Sequence, residues 1–167
     1  MGVQPTFFLL MALVLASCKP GTEQAIQTEQ ITFTKEGELS IWEGETTKIK
    51  ADFDIEFAES PYETGTGLMY RASMEENQGM LFIFPEVAVH NFYMKNTEFS
   101  LDILFIDRDQ KIVSLGKNTV PFDEGGISSQ YPIKYVLEIN GGLSDRLGLG
   151  VGDSISFSRK PSALDFP

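Results

Sequence analysis

Ile49, Ala51, Phe53, Ile55 and Phe57 alternate without a break with Lys50, Asp52, Asp54 and Glu56. Successive side chains of a strand point to opposite faces, so this run predicts a half-buried β-strand, apolar set inward and charged set outward. Other segments follow the same logic. Residues 31–34 and 39–42 flank residues 35–38, whose Gly37 suits a hairpin turn. Residues 80–84 form a continuous apolar strand that Pro85 ends. Residues 101–106 and 111–115 read as strands joined by the polar turn 107–110, and residues 135–139 as another. Gly152 and Asp153 turn into a last strand whose Ile155 and Phe157 face inward. Two short helices are predicted, one over residues 66–72 and one holding Leu143 and Leu147, which Gly148 ends in the left-handed conformation. Strands in this number with two short helices define an α+β domain, a compact β-rich barrel or sandwich, mostly antiparallel.

A chain of 167 residues has room for one such domain. At this size roughly two thirds of the unfolded surface is buried, so no disulfide staple is needed. Lys and Arg number 13 against 24 Asp and Glu, a net charge of −11. That balance argues against nucleic acid and against anionic lipid held through a basic surface, because both are bound mainly by clustered cations. A single cysteine rules out an internal disulfide or a CxxC metal site, and a single histidine any site needing two.

Phe7 opens a run of ten apolar residues, FFLLMALVLA, ending at Ala16. A spanning helix needs about 20, so the run has the length of a signal-peptide core. It leads into Leu15-Ala16-Ser17-Cys18, which resembles the bacterial lipobox. The resemblance implies a signal peptide over residues 1–17 and acylation of Cys18, the partner thus being a membrane reached through several acyl chains. Lys19 in place of aspartate implies sorting to the outer membrane, facing the periplasm, or the cell membrane where there is no outer one. Residues 18–30, polar and without period, read as the lipidated cysteine and a flexible tether. Residues 31–160 are the globular domain and 161–167 a tail.

Five ordered blocks carry a second resemblance. They are GLMYR from Gly67 to Arg71, GMLF from Gly79, FYMKNT from Phe92 with Leu101-Asp102, YVLE from Tyr135 with Gly141, and Gly152-Asp153. In this order and spacing the chain resembles the DUF192 (UPF0127) family over roughly residues 51–157, with Tyr93 where the family usually has tryptophan. The resemblance implies a compact β-rich fold with short helices, and no activity or catalytic residue.

The candidate site residues each have a structural and a functional reading. Asp102 shares a strand face with Leu104 and Ile106, where an unpaired carboxylate costs several kcal/mol, so pairing with Arg71 or Lys95 is expected. The functional reading joins Arg71, Met94, Lys95, Asn96 and Asp102 in a pocket for a small anionic or hydroxyl-rich ligand. Asn96 and Thr97 equally suit turn backbone. Met69, Met80 and Met94, with His90 nearby, have the donors for Cu(I), but their spacing is that of core filler, so no metal or cofactor is expected. Asp102 and Glu138 are the one carboxylate pair considered for an envelope carbohydrate hydrolase. Binding without catalysis is the principal expectation: an envelope module for a small ligand or a partner.

Overall fold

The computed structural model describes residues 1–2 and 31–161. The apolar leader beyond residue 2, Cys18, the tether and residues 162–167 lie outside the described residues.

Strands β1 (Gly37–Trp42) and β2 (Ile49–Ala58) form an antiparallel hairpin. The chain then passes through helix α1 (Pro61–Thr66) and enters β3 (Gln78–Ala88) parallel to β2. After the two-residue strand β4 (Asn91–Phe92) come β5 (Leu101–Ile106) and β6 (Ile112–Gly116), joined by the turn the sequence predicts. Strand β7 (Ile127–Ser128) pairs with β4, and β8 (Ile133–Asn140) runs between β5 and β3. Helix α2 (Leu143–Leu147), capped by Gly148, leads to β9 (Ser154–Arg159) beside β1. Seven strands thus make one sheet in the order β6-β5-β8-β3-β2-β1-β9. Its edges meet at a single bridge between Lys111 and Ser154, so the sheet curls without closing into a barrel.

The curl divides the apolar residues into two cores. On one face Leu39, Ile41, Phe53, Ile55, Leu81, Leu104, Leu137 and Ile139 pack together with Leu143 of α2. On the other, Ala58, Leu68, Met80, Phe82, Met94, Ile103, Phe105 and Val136 form a second cluster. All six residues of β5 are buried for this reason. The α+β, mainly antiparallel reading holds, with one parallel pair added by the β2–β3 crossover.

Three local expectations are corrected. Gly37 is not in a turn; it begins β1, and a Cβ there would lie 2.4 Å from the Ser158 carbonyl oxygen and 2.9 Å from the Phe57 ring. Close strand approach, not a turn, requires glycine at this position. The hairpin turn lies instead between β1 and β2, and residues 31–34 form no strand. Pro85 does not end β3, which continues to Ala88; pairing with β8 skips from Ile83 to Ala88, and the irregularity accommodates a residue with no N–H to donate. The first helix lies over residues 61–66 and not 66–72. Ser60 accepts from the Glu63 N–H while the Glu63 carboxylate accepts from the Ser60 N–H, a capping box with Pro61 at the first helical position.

Candidate functional site

Glu56, Met80 and Glu138 lie side by side across β2, β3 and β8, each the register partner of the next. They share the face of the second core, where residues 59–77 cover the sheet and bury both acids. Arg71 reaches into this row and pairs with Glu56, which also accepts from the Thr34 N–H. Glu138 is treated differently. It is only 6% exposed, and among the described residues no group is hydrogen-bonded to its carboxyl. Burial pushes that carboxyl up to about 8, the nearby Arg71 guanidinium offsetting part of the rise. At neutral pH it is a protonated, uncharged donor.

Glu138 lies at the base of a cavity of about 250 Å³. Thr64 to Met69 form one side; Phe82, Phe84, His90, Phe92 and Tyr93 supply aromatic walls, with Asn91 and Thr97 as polar groups. Phe84 and His90 stack with centroids 3.8 Å apart, and Phe92 meets Phe82 edge-on at 5.2 Å. The wall is therefore fixed by ring–ring packing rather than by single rotamers. His90 is pushed down by burial, and its Nε2 is buried without a partner among the described residues. Gly67, at the C-cap of α1, has φ 49° and ψ −129°, a conformation essentially confined to glycine. A Cβ there would lie 2.9 Å from Phe82 and 3.6 Å from Glu138 Oε2, so the bare backbone lets the loop sit close above the acid.

The residues selected from sequence are not brought together. Arg71 is committed to Glu56, not to Asp102. Asp102 is fully buried on the opposite face and accepts from the Asn118 N–H at 2.7 Å and the Ser144 N–H at 2.8 Å. It ties β5 to the start of α2 and to the loop after β6, and two backbone donors take the place of the expected cation. Lys95 is exposed on the surface, and Met94 is buried in the second core. Asn96 adopts φ 57° and donates to the Tyr70 hydroxyl, holding a turn. Of the segment 92–97, Phe92, Tyr93 and Thr97 line the cavity. Asp102 is the register partner of Ile139, and Glu138 of Ile103, so these two carboxylates point to opposite faces of the sheet and make no catalytic pair. Met80 and Met94 are core packing, while Met69 lines the cavity.

Sequence reasoning missed Phe84, Phe92 and residues 64–67 at the end of α1 as site residues, and weighed His90 only as a metal donor beside the methionines. The one local signal was Glu138 itself, a single acid in the apolar run 136–139.

Together these features define a small curled-sheet domain with one aromatic-walled cavity over a buried acid. Residues 43–157 match the family described as DUF192, uncharacterized ACR, and the chain belongs to that family. A protein of unknown function from Novosphingobium aromaticivorans DSM 12444 has a similar solved structure, 34% identical, with a TM-score of 0.67 over 71% of this chain and 83% of that one. A second, from Sinorhizobium meliloti 1021 and described as a candidate transcription regulator, is 35% identical with a TM-score of 0.70 over 77% and 97%. No curated protein matches the chain.

Proposed function

We propose that the chain is a lipid-anchored cell-envelope domain that binds a small ligand in the cavity above Glu138. The observation that carries the binding reading is a buried carboxyl with no hydrogen-bond partner among the described residues, set at the base of aromatic walls, a costly arrangement for a purely structural core. Aromatic walls with convergent polar groups, here Thr64, His90, Asn91, Thr97 and Glu138, suit a ligand pocket. An anionic ligand is disfavoured, since no Lys or Arg among the described residues lines the cavity. Nucleic acid is disfavoured by the net charge of −11. The anchoring reading rests on the lipobox-like run before Cys18, with Lys19 directing the protein to the periplasmic face of the outer membrane. Among the described residues no helix is long and apolar enough to cross a membrane.

Two experiments test the two halves. Cys18→Ser should abolish acyl labelling and move the protein to the soluble envelope fraction; retention at the wild-type level without label would refute the anchor. For the cavity, Asn91→Trp places an indole at an exposed position on its rim, in a strand that accepts aromatics. Ligand-observed NMR screening of small polar and aromatic compounds should yield binders that this variant loses at an unchanged melting temperature. Binders indifferent to the blocked rim would place recognition elsewhere.

A further inference from the structure

The row Glu56–Met80–Glu138 buries two carboxyl groups, 7% and 6% exposed, around one guanidinium. Arg71 hydrogen-bonds to Glu56 and acts on Glu138 only through space. When both acids ionise, the row is therefore one positive charge short. A buried charge without a partner is expensive, and Glu138 on its own avoids the expense by keeping its proton. Among the described residues no Lys or Arg lines the cavity above it, while five rings do: Phe82, Phe84, His90, Phe92 and Tyr93. Ring faces carry negative electrostatic potential and attract cations that are large and weakly hydrated. Aromatic walls over an unmatched acid are complementary to positive charge carried on carbon.

Resting on the ligand-binding reading above, we propose that the cavity takes a small organic cation, an alkylammonium or quaternary ammonium group, with Glu138 as its counter-ion. The cation packs against Phe84, Phe92 and Tyr93 and supplies the charge the row lacks. Its entry expels the Glu138 proton to solvent, so one positive charge replaces another and the cavity stays neutral. A bare metal ion is a poorer occupant. It needs several hard or nitrogen ligands at once, and the described residues contain no group of three or more His, Cys, Asp or Glu able to hold one.

The test is calorimetric titration of the full-length protein in detergent with choline and with the dimethylbutanol that is its uncharged carbon isostere. Choline should bind at least about tenfold more tightly than the isostere near pH 9. Its affinity should fall by close to tenfold per unit as pH drops below the Glu138 titration, with a proton released on binding. Glu138→Gln should cost choline about tenfold or more and erase that pH dependence, while the variant still melts cooperatively. Absence of choline binding near pH 9, or equal affinity for the two probes, overturns the inference. Dimethylbutanol binding at least as tight as choline's near pH 9, and abolished by Asn91→Trp, would do so while leaving the cavity reading intact. Choline binding that Asn91→Trp does not touch overturns both.

Discussion

Glu138→Gln should make the protein more stable above pH 8, with a melting temperature higher by on the order of 10 °C. The buried carboxyl titrates near 8 against an ordinary 4.5. Between those two values the unfolded chain has released this proton while the folded chain still holds it. The unfolded state then binds fewer protons, so stability declines as pH rises, by up to about 1.4 kcal/mol per unit. The decline stops where the folded carboxyl itself ionises, near 8. Glutamine has the same shape and no proton to lose, so the variant lacks this decline. Wild type and variant should be close at pH 4, diverge through neutrality and run parallel above 8. Urea unfolding across that range is the measurement, and parallel profiles throughout would refute an uncompensated acid.

Arg71→Ala should destabilise the domain by about 3–5 kcal/mol, because it leaves Glu56 as a buried, unpaired carboxylate. Glu56 retains only the Thr34 N–H, and Glu138 loses the one cation that lowers its pKa, moving further up. Restoring neutrality with Glu56→Gln in the same chain should recover part of the loss, a coupling that a double-mutant cycle reads directly. Lys95→Ala, by contrast, removes an exposed charge and should change stability by less than about 0.5 kcal/mol. Equal effects from the two substitutions would show that Arg71 is a surface residue in solution.

The alternation over residues 49–57 places Phe53, Ile55 and Phe57 correctly in the first core, yet it misplaces Glu56, which is buried, and Ile49, which is exposed. The outer face of β2 begins in solvent and ends beneath residues 59–77, so the same periodicity has two meanings along one strand. Helix α1 was displaced for a related reason. It buries no residue, so no hydrophobic period marks it, while the apolar Leu68 and Met69 that attracted the assignment belong to the loop beyond. Its real signature was chemical, Ser60 and Glu63 around Pro61. Asp102 lies in a strand buried on both faces, where the pattern of neighbours cannot say which backbone donors wait on either side. The cavity assembles pieces of α1 and its loop, β3, the β4 region and β8. Those contacts are long-range, and only the register between β3 and β8 brings Glu138 under Phe82 and Phe84.

An uncompensated acid forms the base of this cavity, and Glu138 reports on it directly. Carbon-detected NMR of the side-chain carboxyl, assigned by comparison with Glu138→Gln, follows its protonation in the folded protein. A midpoint near 8 is the predicted result, and a midpoint near the ordinary 4.5 would contradict it.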